Sequence, residues 1–541
     1  MNFIERFLDT LVETPKPLVT EVDGETLLPL SGIELARLVA RGRAGLRQRE
    51  AGPGERVVLL APNSTRWVAA DLAILAEGCV CVPLYARQAA SELVQMMQDA
   101  DPKLVVVADE ELGASVTKLW PEAPVITLTD LFVDALVDAP AAPREPDEPV
   151  TIIYTSGTSG EAKGVVLSVA NVDYMLPVIK DAIEAMMGGT EPDHRVFHYL
   201  PFCFAGSRMV LWMCLYRRNG IMMSTDLDNL KVELTAARPN YVLNVPTLLE
   251  RIKEGVEKAL SDRPRAVQVL WNRGKSAWAK KLKGEAGFFD KASLAVAQRV
   301  VFSKVRAQIG PELRCLIAGS APLGEDTQRW FEMIGLPVYQ VYGLTETTAI
   351  VTMDKPGAEV AGWVGPAITG CETLIGDEGE LLVRGPNVFK GYWRRDEATA
   401  EAFADGGWFR TGDQVEQDKE GRFRIIGRVR NLLVPSSGHN IAPEPIEQKV
   451  IGTIVGVEQC VVIGHGRPYL TAIMTGDVDR ETVQRGVDKI NEELPHYRRI
   501  RKFHLTTERL TPENGLLTAN TKLKRKAIEQ HFGRVLAAMY R

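Results

Sequence analysis

The chain of 541 residues is too long for a single ordinary hydrophobic core, which indicates two to four structural units. Hydrophobic residues make up 45% and charged residues 25% of the sequence, proportions typical of a soluble globular protein. The net charge of −6 argues against general affinity for nucleic acids or anionic membranes, although a local basic patch is compatible with it.

The amino-terminal stretch MNFIERFLDTLVETPKP carries three carboxylates among its apolar residues, which is not the pattern of a signal peptide. No apolar run in the sequence approaches the ~20 residues that a membrane-spanning helix needs. The seven cysteines are scattered, and we expect them to be reduced thiols in the core. These features predict a cytoplasmic protein.

Apolar strand patterns alternate with helical patterns through the first two-thirds of the chain. RVVLLAP (56–62) precedes the helical WVAADLAILAEG (67–78), and CVCVPL (79–84) and KLVVVAD (103–109) continue the series. This alternation predicts layered α/β architecture with parallel sheets.

The stretch YTSGTSGEAKG (154–164) combines small, hydroxyl-bearing and glycine residues with one lysine, a composition suited to a loop that wraps an anion. It is not a Walker loop, because Ala162 precedes Lys163 and Gly164 follows it. The β-branched flanks VTIIY and VVL predict that the loop joins two strands, where backbone N–H groups, hydroxyls and the lysine would bind phosphate. On this stretch alone, an ordinary surface hairpin remains the alternative.

From about residue 356 the sequence becomes rich in short β-like segments separated by glycine, which predicts a small antiparallel or barrel-like unit. A mixed α+β section follows and ends in the basic helical pattern KLKRKAIEQHFGRVLAAMYR. We therefore predict an amino-terminal domain over 1–427, built of layered α/β subdomains plus a small β-barrel. A smaller, mobile carboxy-terminal domain is predicted over 428–541.

Five ordered motifs together resemble the signatures of the adenylate-forming (AMP-binding) superfamily. They are YTSGTSGEAKGV, YGLTETT (342–348), GELLVRGPNVFKGYW (379–393), GWFRTGD (407–413) and GRVRNLLVPSSGHNIAPEPIE (427–447). SSGHNIAPEPIE and ENGLLTANTKLKRK are most similar to the long-chain fatty acyl-CoA synthetase branch.

This resemblance implies a reaction in two halves. The carboxylate of a fatty acid attacks the α-phosphate of ATP to give acyl-adenylate and pyrophosphate, and coenzyme A then displaces AMP. The first step brings two anions together, so the site must supply positive charge. Mg²⁺ and a lysine would do so.

The resemblance also implies roles for individual residues. Lys522, Thr345 and Glu346 would be catalytic, and Glu346 would also bind Mg²⁺, which prefers oxygen ligands. The remaining positions would bind ATP or coenzyme A: Thr155, Ser156, Gly157, Thr158, Ser159, Gly160, Lys163, Gly319, Ser320, Ala321, Gln340, Tyr342, Gly343, Asp413, Arg428 and Gly438.

Several of these roles are specific. Tyr342 would stack on adenine, Gln340 would read the adenine edge, and Asp413 would accept hydrogen bonds from both ribose hydroxyls. Gly438 would lie beside the pantetheine tunnel, where only a residue without a side chain leaves room. For Lys522, a solvated basic helix that includes Lys524, Arg525 and Lys526 remains the alternative.

Two positions depart from the family pattern. Arg430 takes the place of the usual hinge aspartate or lysine, and Phe204 takes the place of a histidine in LPFCFAGSRM (200–209). Together with Cys203, Phe204 makes this part of the acyl pocket more apolar, which favours a medium- or long-chain fatty acid over an amino acid.

Two other functions remain open alternatives. An acyl-adenylate synthetase would pass its product to a carrier protein or an amine. That class usually carries an insertion after the YGxTE region, whereas only about a dozen residues separate Thr348 from Gly362. A catalytically silent nucleotide- or lipid-binding homologue would tend to lose Lys163, Glu346, Asp413 or Lys522.

Residues 262–306 contain eleven lysine or arginine residues and three acidic ones, interleaved with tryptophan and phenylalanine. One interpretation is a peripheral membrane surface that admits fatty acids. The other is a solvated helical face over core aromatics. Nucleic acid is not an expected partner.

Overall fold

The computed structural model describes residues 1–156, 162–189, 194–224, 226–436, 438–439, 441–518 and 522–541. The α-helices, in chain order, are α1 (Phe3–Glu13), α2 (Gly32–Gln48), α3 (Thr65–Ala76), α4 (Ala90–Ala100), α5 (Glu110–Thr117), α6 (Leu128–Leu131), α7 (Val169–Met187), α8 (Ala205–Arg217), α9 (Leu230–Ala237), α10 (Pro246–Ser261), α11 (Arg265–Leu282), α12 (Phe288–Ala297), α13 (Ser303–Ile309), α14 (Glu325–Met333), α15 (Asp396–Ala402), α16 (Glu444–Thr453), α17 (Arg480–Glu493), α18 (Arg525–His531) and α19 (Gly533–Met539).

The β-strands follow the same order. They are β1 (Pro17–Asp23), β2 (Thr26–Ser31), β3 (Arg56–Leu60), β4 (Val80–Leu84), β5 (Leu104–Val107), β6 (Val125–Thr127), β7 (Pro149–Ser156), β8 (Ala162–Ser168), β9 (Val196–His198), β10 (Ile221–Ser224), β11 (Tyr241–Asn244), β12 (Cys315–Ala318), β13 (Val338–Tyr342), β14 (Thr352–Met353), β15 (Glu372–Ile375), β16 (Glu380–Arg384), β17 (Gly391–Tyr392), β18 (Phe403–Ala404), β19 (Trp408–Gln417), β20 (Phe423–Arg428), β21 (Val457–Ile463), β22 (Leu470–Gly476) and β23 (Ile500–Thr506).

Two large sheets form the amino-terminal part of the described chain. Eight strands form the first, in the order β14-β13-β12-β11-β9-β10-β1-β2, with a parallel centre and antiparallel edge strands. Seven form the second, in the order β17-β8-β7-β4-β3-β5-β6. The predicted series of strand, helix, strand and strand over 56–109 corresponds to β3, α3, β4 and β5. The predicted α/β class with parallel sheets is confirmed.

The central strands are apolar because helices cover both faces of a parallel sheet. Every residue of β4 and β5 is buried, and so is nearly all of α3. A buried ion pair lies in this core, where the guanidinium of Arg208 on α8 donates to Asp71 on α3 and to the hydroxyl of Thr151 on β7. It ties α8 to the strand that leads into the predicted phosphate loop.

The small antiparallel unit predicted after residue 356 is present but is not a closed barrel. Its five strands pair in the order β15-β16-β19-β18, and β20 also pairs with β19. The ten-residue strand β19 contacts β16 on one side and β18 and then β20 on the other. Among the described residues no pairing joins β15 to β20, so the barrel prediction is wrong and the unit is an open sheet.

The smaller carboxy-terminal domain has its own apolar core over a three-stranded sheet, β21-β22-β23. Arg525, at the start of α18, donates two hydrogen bonds of 2.7 and 2.6 Å to the buried carboxylate of Glu447. The same carboxylate accepts a bond from the backbone N–H of Val462 on β21. This paired arginine anchors the last helices to the domain and is not part of a solvated basic face.

Within the described residues, no helix combines the length and the apolarity that crossing a membrane requires. All seven cysteines are buried and unbridged, as the sequence predicts.

Candidate active site

The predicted phosphate loop lies at the end of a β-hairpin. Strands β7 and β8 are antiparallel, with Thr155 opposite Lys163 and Ser156 opposite Ala162. The prediction that the loop joins two strands is therefore confirmed. Gly157, Thr158, Ser159 and Gly160 lie outside the described residues.

A tyrosine that the sequence analysis did not single out connects this hairpin to the YGLTE turn. Tyr392, on β17, pairs with Val165 on β8, and the ammonium of Lys163 lies 5.1 Å from the centre of the Tyr392 ring. The Tyr392 hydroxyl donates a hydrogen bond of 3.0 Å to the Glu346 carboxylate. Lys163 and Glu346, which are far apart in sequence, therefore lie beside the ring and the hydroxyl of the same side chain.

The YGLTE residues form a tight turn after β13. A Cβ on Gly343 would lie 2.1 Å from the carbonyl oxygen of Ala349, so this position accepts only glycine without a shift of the backbone. Residues Thr345–Thr347 form one turn of 3-10 helix, and both Thr345 and Glu346 are half-buried. The turn fixes the backbone that presents the predicted catalytic threonine and carboxylate.

Asp413, Tyr342 and Arg428 form a compact polar cluster. Asp413 is almost fully buried on β19; its Oδ2 accepts a hydrogen bond of 2.7 Å from the Tyr342 hydroxyl, and its Oδ1 lies 2.7 Å from Nε of Arg428. Arg428 reaches Asp413 because the two residues are directly opposite each other on β20 and β19. The predicted adenine and ribose residues are therefore in direct contact.

Burial and the neighbouring positive charges change the pKa of Asp413 in opposite directions. Burial raises the pKa of Asp413, although the charges of Arg428 and Lys522 and the bond from Tyr342 act to lower it. Burial and the Asp413 charge raise the pKa of Tyr342 well above its ordinary value, so the phenol stays protonated and remains a donor.

Lys522, from the carboxy-terminal domain, is close enough to Asp413 and Glu346 of the amino-terminal domain for their charges to affect its pKa. Its pKa is lowered by surrounding protein and by the charge of Arg428, while the charges of Asp413 and Glu346 act to raise it. The side chain is nevertheless solvent-exposed. Two backbone contacts join the described residues on either side of this segment: the bridge between Leu517 and Leu523, and the bond of 2.8 Å from the Thr518 N–H to the Lys522 carbonyl.

Lys524 connects the same segment to the amino-terminal domain. Its ammonium lies 2.9 Å from a carboxylate oxygen of Glu92 on α4. The bonds from Lys524 and from Gln88 lower the pKa of Glu92, although burial alone would raise it. Of the basic neighbours of Lys522, Lys524 and Arg525 have acidic partners and Lys526 is exposed, so the alternative of a solvated basic helix is not supported for the first two.

The structure places Gln340, which was predicted to read the adenine edge, within the core. Its side chain is buried, its amide nitrogen donates a bond of 2.7 Å to Gln328, and its amide oxygen accepts one from the backbone N–H of Leu323. The amide thus forms hydrogen bonds within the core between β13 and α14, and its role at the adenine edge stays a prediction. Its carbonyl and N–H also bond to Asp354, which makes Gln340 a structural support for the strand that ends in Tyr342.

The other predicted binding residues lie at chain turns. Gly319 follows β12 directly, and the exposed Ser320 has a positive φ of 71°, a backbone conformation that costs energy and often occurs at functional sites. Ala321 is exposed beside it. Gly438 has a φ of 77°, and a Cβ there would meet no atom within 4 Å. In this structure its backbone conformation, not a lack of space, favours glycine.

The segment that departs from the family at Phe204 is aromatic and apolar. The Phe204 ring lies 5.7 Å from that of Tyr85, and Cys203 is buried next to it. Burial lowers the pKa of the nearby His198 to about 4, so this histidine is neutral, and it stacks on Phe202 at 5.0 Å.

The chain resembles known families and proteins over nearly its whole length. The family described as AMP-binding enzyme matches residues 28–393, and the AMP-binding enzyme C-terminal domain matches residues 430–541. Long-chain-fatty-acid–CoA ligase FadD15 of Mycobacterium bovis is 28% identical over 94% of this chain and 91% of its own. Putative fatty-acid–CoA ligase fadD11 of Mycobacterium tuberculosis is 30% identical over 78% of this chain and 79% of its own.

Solved structures share the fold. ATP-bound MatB from Rhodopseudomonas palustris superposes with a TM-score of 0.76 at 26% identity, covering 98% of this chain and 99% of MatB.

Proposed function

This chain belongs to the AMP-binding enzyme family, within the fatty acyl-CoA synthetase branch of the adenylate-forming superfamily, and from that premise we propose that it activates a medium- or long-chain fatty acid with ATP and transfers it to coenzyme A. The observation that carries the proposal is the convergence of charges from both domains. Lys522 from the carboxy-terminal domain lies within electrostatic reach of Glu346, Asp413 and Arg428.

In the first half-reaction, a carboxylate oxygen of the fatty acid forms a bond to the α-phosphorus of ATP while the bond to the pyrophosphate oxygen breaks. Negative charge accumulates on the phosphate oxygens in this step, and fixed cations stabilise it. We assign this task to Lys522 on the side of the α-phosphate and the carboxylate. Lys163, on the hairpin, would hold the departing pyrophosphate.

The donor groups suit Mg²⁺ bound together with nucleotide. Mg²⁺ is usually held by one or two carboxylates plus substrate phosphates and water. Glu346 supplies a half-buried carboxylate whose position is fixed by Tyr392. Within the described ranges, no group of three or more His, Cys, Asp or Glu residues could hold a metal alone, and such a magnesium site needs none. The ion would neutralise phosphate charge when bound.

Asp413 and Tyr342 would receive the nucleoside. The buried carboxylate of Asp413 already binds a hydroxyl, that of Tyr342, which supports its proposed role as acceptor for ribose hydroxyls. Gly319, Ser320 and Ala321 would line the other wall of the adenine pocket.

In the second half-reaction, the thiol of coenzyme A attacks the acyl carbon and AMP leaves. We propose that the carboxy-terminal domain rotates between the two steps about Arg430, which lies in the single turn Val429–Asn431 between β20 and the next domain. Arg428 pairs with Asp413 inside the sheet, next to the domain boundary that we propose after residue 427. Gly438 would line the path of the pantetheine. The cytoplasmic location stays a prediction.

A lysine-to-alanine pair tests the proposal. Lys522→Ala should lower ATP–pyrophosphate exchange with palmitate by about 10²–10³-fold, the scale of losing one transition-state charge partner. Lys526→Ala is the matched control, since Lys526 is exposed on α18 and we assign it no role. Near-normal exchange in Lys522→Ala, or an equal loss in Lys526→Ala, would contradict the assignment.

Product analysis separates the proposed ligase from its alternatives. AMP together with acyl-CoA, from ATP, coenzyme A and palmitate, supports the ligase. Acyl-adenylate without thioester indicates a synthetase that serves a carrier protein or an amine, and no turnover indicates a silent binder. A series of carboxylates of increasing chain length, assayed for pyrophosphate release, would then define the substrate.

A further inference from the structure

The hairpin of α11 and α12 exposes two adjacent aromatic side chains at its tip. Phe288 and Phe289 are 81% and 84% exposed and contact each other edge to face, with ring centroids 5.8 Å apart. Leu282, at the end of α11, is 46% exposed. Large apolar side chains grouped on a surface favour contact with an apolar phase, because removing their surface from water lowers the free energy of the system.

The apolar exposure continues along α12. Phe288, Ala292 and Val296 follow one another at intervals of four residues, which places them on one face of α12, and Val300 continues this spacing in the π-helical turn Gln298–Phe302 that follows. All four residues are exposed. The opposite face is also apolar, but it packs into the core through Leu294, Ala297, Val301 and Phe302. One apolar face of this helix is therefore buried in the core, and the other is exposed to solvent.

The exposed stripe lies among basic residues. Residues 262–306 have eleven basic and three acidic side chains, whereas the whole chain has a net charge of −6. Lys280 is paired with Asp290 at 2.9 Å. For Lys281, Lys283 and Lys291, no carboxylate partner is present among the residues that the structure describes, and all three are exposed.

We propose that the α11–α12 surface, defined as Leu282, Phe288, Phe289, Val296, Val300, Lys281, Lys283 and Lys291, binds the interface of an anionic lipid membrane. Aromatic and aliphatic side chains flanked by lysines are the composition of helices that lie in this interface, where apolar burial and attraction to anionic headgroups add. A symmetric contact with a second copy fits less well, because it would bring two strongly basic surfaces together.

Residues 262–306, for which the sequence leaves a membrane surface and a solvated face over core aromatics as alternatives, contain both kinds of aromatic residue. Trp271 is buried against Phe302 and Trp330, with ring centroids 5.1 and 6.0 Å away, and belongs to the core. Phe288 and Phe289 belong to the surface. This inference goes beyond the proposed ligase activity and does not depend on it, since membrane binding needs neither ATP nor a fatty acid.

Co-sedimentation of the full chain with vesicles tests the inference. We expect binding at 150 mM NaCl to vesicles of phosphatidylcholine with about one-third phosphatidylglycerol, and at least tenfold weaker binding to phosphatidylcholine alone. F288A/F289A should weaken binding about tenfold or more, and K281E/K283E/K291E about 100-fold. Val455→Ala removes a side chain of similar exposure, 75%, on the carboxy-terminal domain and should bind like the unaltered chain.

The outcomes are distinguishable. All altered side chains are exposed, so the variants should keep the unfolding temperature of the unaltered protein, and binding can be compared directly. Absence of binding to anionic vesicles, or unchanged binding by F288A/F289A, overturns the proposal. Self-association in sedimentation velocity that F288A/F289A abolishes, without vesicle binding, also overturns it and identifies a contact between copies instead.

Discussion

The ion pair between Glu92 and Lys524, which we call the interdomain latch, should control how readily Lys522 reaches the active site. It joins α4 of the amino-terminal domain to the segment that carries Lys522, with 2.9 Å between the charged atoms. Lys524 lies only two residues after Lys522, so a displaced latch would displace the catalytic candidate as well. Replacing Glu92 with lysine should therefore slow the first half-reaction.

The expected decrease in rate depends on how far the Glu92 and Lys524 side chains are exposed to solvent. The Glu92 side chain is 40% and that of Lys524 28% exposed, so solvent and salt screen the attraction, and the pair contributes about 1 kcal/mol. Charge reversal replaces this attraction with a repulsion of similar size, a change of about 2 kcal/mol. That corresponds to a decrease of up to about 30-fold in the ratio of molecules with Lys522 at the active site to molecules with Lys522 displaced.

ATP–pyrophosphate exchange measures the first half-reaction and is the assay of choice. Glu92→Lys should lower the rate between about fivefold and 30-fold, and adding Lys524→Glu should restore most of it. Glu110→Lys, an exposed position on α5, controls for the change in net charge. The defect should shrink in 0.5 M salt, where charges more than a few Å apart are screened. A rate within twofold of the unaltered protein, or no restoration in the double variant, would refute the latch.

Three further predictions concern residues that support the site. Asp71→Asn leaves the Arg208 guanidinium buried without its counter-charge, a cost of about 3–5 kcal/mol that calorimetry should show as an unfolding temperature several degrees lower. Tyr392→Phe removes the hydroxyl that positions Glu346 and should lower pyrophosphate exchange by about tenfold with little change in unfolding temperature. Burial and two nearby glutamates raise the pKa of Asp354 to about 7, so the folded protein retains a proton that the unfolded chain releases above its ordinary value of 3.8. Stability should therefore fall as pH rises towards 7, and Asp354→Asn should gain unfolding temperature relative to the unaltered protein at pH 8 but not at pH 4.

The sequence predicts which residues belong to the site better than it predicts the direction in which their side chains point. Asp413, Tyr342 and Lys522 lie in short motifs whose order along the chain carries the resemblance, so their grouping could be expected. Gln340 lies in the same strand, yet its amide points into the core. Which face of a strand is buried depends on helix α14, whose packing no local pattern shows.

Tyr392 was missed for a related reason. Its motif, FKGYW, was part of the resemblance, but its role depends on pairing between β17 and β8, which are more than 200 residues apart in sequence. A tyrosine in a glycine-containing segment is most often a packing residue, and only the topology brings it between Lys163 and Glu346. The closed barrel was predicted from short, glycine-separated strands, a pattern that open and closed antiparallel sheets share.

The contacts of Lys522 and Lys524 also bear on the second half-reaction. A rotation of the carboxy-terminal domain has to break the latch and withdraw Lys522 from the charges of Asp413 and Glu346. Both members of the latch are partly exposed, so breaking it costs of the order of 1 kcal/mol, which is compatible with repeated turnover. By contrast, Arg525 is held by the buried Glu447 within its own domain and would move with it. The weak contacts thus cross between the domains and the strong one stays inside, which is the distribution that a rotating domain requires.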